Sequence, residues 1–148
     1  MKRLLSLVQP YLIYIAWSLS IIGTLGSLFF SEVMHFPPCV LCWYQRISMY
    51  PLVLILGAGI LRNDKKVWTY ALPLSVIGWC IALYHNLLYY QILPESMAPC
   101  TAGVSCTTKF ISWFGFITIP FLSFVAFSVI ISCLLFWTTG NTHKSGQE

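Results

Sequence analysis

Four long apolar runs separated by polar stretches set the pattern of this 148-residue chain. The first covers residues 11–30 and carries no charge. The second, 42–61, is interrupted only by Arg46. The third, 70–89, contains Pro73 and Cys80 and has His85 near its end. The fourth region, 110–137, is uncharged but too long for one crossing. At 1.5 Å per residue it would reach about 42 Å, against a hydrocarbon core of about 30 Å. Pro120 offers a natural start, so the fourth span is placed at 118–137. Phe110 to Ile119 then reads as partly interfacial, a depth that suits Trp113 and the phenylalanines beside it. A chain in lipid must satisfy its own backbone polar groups, so all four spans are predicted to be helices. The predicted fold is an all-α membrane protein, a four-transmembrane-helix bundle making one domain over residues 1–137. The polar tail, 138–148, is predicted to be disordered.

Composition agrees with this pattern. The chain is 58% hydrophobic and 8% charged, where soluble domains carry about 25% charged residues. The net charge of +4 does not indicate nucleic acid, because the charges are sparse and sit at segment ends. Lys2-Arg3 precede an apolar run too long for a cleavable leader, so the first span reads as a retained signal anchor. With four spans, Lys2, Arg3, Arg62, Lys65, Lys66 and Lys144 fall on one side and Lys109 on the other. The bias of basic residues toward the cytoplasm therefore predicts both termini inside. The connections 31–41 and 90–109 then face outward.

The chemistry concentrates in Phe36-Pro37-Pro38-Cys39-Val40-Leu41-Cys42-Trp43-Tyr44-Gln45-Arg46. Proline suits the first turn of a helix and discourages helix before it. Cys39 and Cys42 are therefore predicted in a first helical turn, where backbone N–H groups and the helix dipole favour a thiolate. Arg46, four residues past Cys42, shares its face. There are six cysteines. Cys80 and Cys133 lie within spans and read as small apolar fillers. Cys39, Cys42, Cys100 and Cys106 all fall on the outer side, where disulfides persist. Cys100 and Cys106 sit in a loop with turn residues that can close a small ring. Two inert staples remain one reading. A C-x-x-C ring, however, closes too short a loop to be a useful staple and is a common redox motif. A four-cysteine zinc site is another reading, but C-x5-C is a less common ligand half and His35 does not convincingly complete a set. No metal is predicted.

An ionisable residue inside a span is a functional candidate. Arg46 could stabilise the Cys42 thiolate and an anionic electron acceptor, or extend to the interface as an anchor. His85, at similar depth, is either a ligand or a satisfied interfacial histidine. The chain has neither a Gly-rich nucleotide fingerprint nor a haem C-x-x-C-H. Electrons leaving the thiols would therefore need an acceptor dissolved in the membrane.

Over residues 11–137 the chain resembles the DsbB-type disulfide bond formation proteins, especially their short-loop BdbC subgroup. The resemblance rests on Cys39-Val40-Leu41-Cys42-Trp43-Tyr44-Gln45-Arg46, on Pro99-Cys100 with Cys106, and on Trp113-Phe114-Gly115-Phe116-Ile117-Thr118-Ile119-Pro120. It implies a membrane enzyme that reoxidises an extracytoplasmic thioredoxin-like thiol oxidase and passes two electrons to a membrane quinone, menaquinone or ubiquinone. By the same resemblance, Cys100 forms the mixed disulfide with the partner and Cys106 exchanges with Cys39. Cys42 faces the quinone with Arg46, and His85 lies near the quinone pocket. The loop carrying Cys100 and Cys106 is much shorter than in the longer-loop members. Vitamin K epoxide reductase-like enzymes share the chemistry but carry the quinone-side C-x-x-C on a late helix, whereas here it opens the second span. A metal-binding or disulfide-stapled membrane protein is the non-enzymatic alternative.

Overall fold

A computed structural model of the chain describes residues 2–35, 37–94 and 118–145. Four helices make up these residues: α1 (Lys2–Leu28), α2 (Val40–Leu61), α3 (Trp68–Tyr89) and α4 (Ile119–Ser145). A π-helical turn, Phe29–Val33, extends α1. Each helix contains a stretch long and apolar enough to cross a membrane: Tyr11–Val33, Val40–Leu61, Trp68–Tyr89 and Ile119–Thr139. The all-α, four-span architecture is therefore the observed one. Helix α2 begins two residues before the predicted span, because Cys39 rather than a later residue caps it. Helix α4 continues past Trp137 to Ser145, so residues 138–145 are helical and not the disordered tail expected. No proline follows to stop a helix already propagating, and each added residue gains a backbone hydrogen bond. The loop expected at 90–109 and the interfacial stretch at 110–119 fall mostly at 95–117, outside the described residues.

The helices close a ring in which α1 lies beside α2 and α4, and α3 beside α2 and α4. The link between α2 and α3 is a tight turn. Asn63 takes a left-handed conformation (φ 50°), and the Asp64 carboxylate accepts a 2.8 Å hydrogen bond from Lys66 N–H. Alternating helix direction then gathers four points at the opposite end of the bundle: the end of α1, the start of α2, the end of α3 and the start of α4.

Apolar burial between helices contributes little in a bilayer, since lipid is as apolar as leucine; close packing and interhelical hydrogen bonds must do it. Both are present. Leu52, Leu56, Ala71, Ala82, Phe127, Ile130 and Leu134 are fully buried. The Phe127 ring lies directly on Gly78, where even a methyl group would collide with it. Polar clasps join neighbours: Trp17 Nε1 donates to the Val53 carbonyl at 3.0 Å, and Trp79 Nε1 to Ser128 Oγ at 2.9 Å. Asn86 Nδ2 donates to the Pro120 carbonyl at 2.9 Å. The last clasp fixes the end of α3 against the start of α4.

Two glycines should respond oppositely to the same change. Gly78→Ala should lower the thermal midpoint in detergent, by an overpacking cost of about 1–3 kcal/mol. Gly26→Ala, where the added methyl meets nothing within 4 Å, should be neutral or raise it by up to about 1 kcal/mol through helix propensity. Equal midpoints for the two variants would contradict this packing of Phe127.

Candidate functional site

Pro37 and Pro38 hold the chain extended up to Cys39, whose backbone (φ −71°, ψ 168°) is that of an N-cap. Its sulfur does what a serine oxygen does at such a position, accepting from Cys42 N–H at 3.3 Å. Cys39 thus caps α2 from just outside it, and Cys42 sits within the first turn. The two sulfurs are 2.7 Å apart.

Helix α3 brings a third group. His85, 2% exposed, places Nε2 3.8 Å from Cys39 Sγ. Its other nitrogen, Nδ1, lies 3.2 Å from Gln45 Nε2. Arg46, half-buried, is bound to the end of α1: Nε donates to Ser27 Oγ at 2.8 Å and Nη2 to the Ser27 carbonyl at 2.9 Å. Its guanidinium also lies 5.4 Å from the Trp43 ring centre, within cation–π range.

These groups border one cavity of about 370 Å³ reached by all four helices. Its walls include Gly23, Gly26 and Ser27 from α1, Cys42, Arg46, Met49 and Tyr50 from α2, His85 and Tyr89 from α3, and Pro120 and Ala126 from α4. Thr118 at its edge caps α4, with Oγ1 accepting from Phe121 N–H at 3.3 Å. The positive ends of two helices and one guanidinium therefore converge on a mostly apolar space, a setting that favours negative charge.

The Cys39 thiol is held well below the ordinary thiol range. The hydrogen bond from the Cys42 thiol lowers it most, burial opposes this, and the hydrogen bond from His85 lowers it further.

The structure brings together four of the residues singled out from sequence: Cys39, Cys42, Arg46 and His85. Cys100 and Cys106 lie outside the described residues. Cys133 is buried in the core and Cys80 is exposed on the bundle's outer face, both away from the cavity. His35, exposed and with φ 53°, does not line it. Gln45 and Ser27 join the site besides these residues. Gln45 carried a signal, a polar side chain inside a span three residues past Cys42 and hence on its face. Ser27 carried none.

Cys39, Cys42 and His85 have the chemistry of a metal ligand group, with ligand atoms within 4.8 Å of one another. Two thiolates around a tetrahedral zinc sit about 3.8 Å apart, given Zn–S bonds of about 2.3 Å. The sulfurs here are closer than that, 2.7 Å apart, and belong to two free cysteines in hydrogen-bond contact.

A family model described as "Disulfide bond formation protein DsbB" matches residues 9–137. The chain belongs to the DsbB family. "Probable disulfide formation protein C 1" of Bacillus anthracis is 50% identical over 126 residues, 84% of this chain and 90% of that protein. "Disulfide bond formation protein C" of Bacillus subtilis (strain 168) is 50% identical over 127 residues, 83% of this chain and 91% of that protein. "Probable disulfide formation protein" of Metapseudomonas resinovorans is 46% identical over 125 residues, 84% and 86% of the two chains. No solved structure matches. As a DsbB-family protein, the chain has a role in disulfide bond formation, as a disulfide oxidoreductase with four membrane-spanning helices.

The electrostatics have a measurable consequence. An ordinary cysteine, with a pKa near about 8.5, is only a few per cent thiolate at pH 7. Because the Cys39 pKa is lowered, its thiolate persists below that range and is lost only as pH falls through the lowered value. The reduced protein at pH 7 should show one thiolate absorbance near the far-ultraviolet edge that disappears in Cys39→Ser. His85→Ala should move its titration upward. Thiolate absorbance rising only above pH 8 in the wild type would rule this out.

Proposed function

We propose that this DsbB-family protein is a thiol:quinone oxidoreductase of the cell membrane, reoxidising an extracytoplasmic thioredoxin-like dithiol oxidase and so supporting disulfide formation in exported proteins. The observation that carries the reading is the opening of the Cys39–Cys42 pair onto the cavity that Arg46 borders. A quinone head group fits the character of that space: apolar walls for a flat ring, with donors where its oxygens gain charge. Arg46 has five N–H groups; two are used on Ser27, which aims the fork while others remain for an acceptor oxygen. Arg46, His85 and the apolar wall from Met49 to Ala126 would hold it. Menaquinone and ubiquinone share the head-group chemistry on which this rests. The quinone, when bound, supplies a sink for two electrons and two protons.

The roles of the chain's own residues follow. A reduced partner attacks the Cys100–Cys106 disulfide at Cys100, forming a mixed disulfide and releasing the Cys106 thiolate. Cys106 attacks Cys39; the Cys39–Cys42 bond breaks and the electron pair stays on Cys42. The partner's second thiol displaces Cys100, and the Cys100 thiolate attacks Cys106, re-forming the loop disulfide and releasing the Cys39 thiolate. Each exchange trades one S–S bond for another with no net oxidation. Only the re-closing of Cys39 and Cys42 releases electrons and protons, beside Arg46. Cys39, stabilised as a thiolate, leaves readily when its mixed disulfide is resolved.

Cys106→Ser should trap Cys100 and the reduced partner as a covalent complex on non-reducing gels. Cys42→Ser should abolish quinone reduction, followed by absorbance, while the loop pair still turns over once. Arg46→Ala should slow the same quinone signal by about 10²–10³-fold, the loss of one aimed charge-stabilising donor, with Arg46→Lys recovering part of it. Full quinone-coupled oxidation of the partner by a Cys100→Ser, Cys106→Ser double variant would refute the relay.

The bias of basic residues supports termini and the 62–67 turn in the cytoplasm, with Cys39 outward. A cysteine introduced by Asp64→Cys should react with an impermeant thiol reagent only after cells are permeabilised. Labelling in intact cells would reverse the orientation.

A further inference from the structure

Gln45 lies between Cys42 and Arg46 along α2 and is 8% exposed. Its amide nitrogen faces His85 Nδ1 at 3.2 Å, while the same ring's Nε2 faces Cys39 Sγ at 3.8 Å. A side-chain amide nitrogen can only donate. With the Gln45 amide in this orientation and the ring neutral, Nδ1 offers its lone pair, which leaves the ring proton on Nε2, the nitrogen directed at the sulfur.

We propose that Gln45 is a positioning residue that holds His85 in its Nε2–H tautomer, so that the ring donates a hydrogen bond to the Cys39 thiolate. The other tautomer would set a bare Nε2 lone pair against the thiolate and an Nδ1–H against the amide N–H. Both clashes would be buried, where unsatisfied polar groups are costly. The arrangement deepens the exchange reading above and rests on it for its purpose. When the Cys100 thiolate attacks Cys106 in the Cys106–Cys39 disulfide, the Cys100–Cys106 bond forms and the electron pair of the broken bond remains on Cys39. A donor already facing that sulfur stabilises the leaving thiolate and speeds its departure.

Other groups could bear on the titration. Among the described residues, the titratable or charged ones bordering the cavity are Cys39 at the N-cap of α2, Cys42, Arg46 and Tyr50 on α2, and His85 and Tyr89 on α3. Among the described residues, the cavity receives from α1 and α4 hydroxyls such as Ser27 and Ser123 but no group that titrates near neutrality. Of the groups on α2, only Gln45 pairs with His85 Nδ1.

The test uses the full chain, reduced, in detergent and with 15N-labelled histidine. The chain has three histidines, so the His85 signals are those absent from His85→Asn. The wild type should show protonated Nε2 and bare Nδ1. Gln45→Glu, whose carboxylate only accepts, should move the proton to Nδ1. Gln45→Met, which can do neither, should mix the tautomers and move the Cys39 thiolate titration upward by about one pH unit. A wild-type ring protonated on Nδ1 overturns the proposal, and so does a Gln45→Met protein with unchanged tautomer and titration. The wild-type tautomer decides alone if a variant fails to fold. Neither readout involves a quinone or a partner. Failed quinone coupling with the expected tautomer would therefore count against the thiol:quinone reading and leave Gln45's role standing.

Discussion

The sulfur of Cys39 occupies the N-cap of α2, and the site is built outward from that position. Two prolines keep the preceding chain extended, so the helix starts where the cysteine is. The helix then offers its first N–H groups and its dipole to the sulfur, and places Cys42 one turn on at 2.7 Å. A cap normally stabilises a helix by about 1 kcal/mol. Here the same hydrogen bond also stabilises a thiolate, so local folding and thiol reactivity are linked. Shifting the start of α2 by one residue would lose the cap, the sulfur–sulfur approach and the contact with His85 together.

A membrane bundle cannot rely on apolar burial to align its helices, and this one uses polar clasps at defined heights. Arg46 on Ser27 joins α1 to α2, Gln45 on His85 joins α2 to α3, and Asn86 on the Pro120 carbonyl joins α3 to α4. All three lie toward the cavity end. The groups that carry the chemistry therefore also set the register of the helices around it. Hydrogen bonds of this kind contribute only about 0.6–2 kcal/mol each in a membrane, but they are directional where packing is not.

Placing a guanidinium in a span is expensive, and the structure shows how it is accommodated. Arg46 gives two N–H groups to Ser27 and lies against Trp43. Its charge remains half-buried beside two helix N-termini and a thiol that ionises readily. The sum favours an anion in the cavity, whether on sulfur or on an acceptor. The chemistry of the DsbB family requires such a place, since disulfide exchange passes through thiolates at every step.

Much of the fold was legible in the residues themselves. Uninterrupted apolar length identifies a span with little help from context, and the four spans stand close to where hydropathy placed them. Pro37-Pro38-Cys39 marked the start of α2 because proline acts on its immediate neighbours. The spacing of Cys42 and Arg46 put both on one face, since helical geometry is local. The helical course of 138–145 is not visible in its polar composition, because a helix already running needs only backbone bonds to continue. The partnerships of the site were a different matter. Nothing in the pattern said that His85 would meet a sulfur 46 residues away, or that Ser27 would receive the guanidinium. Transmembrane helices are apolar on every side, so they lack the amphipathic stripe that tells a soluble helix which face turns inward. Which faces meet is decided by packing, such as Phe127 on Gly78, and by the polar clasps, and only the assembled bundle contains those.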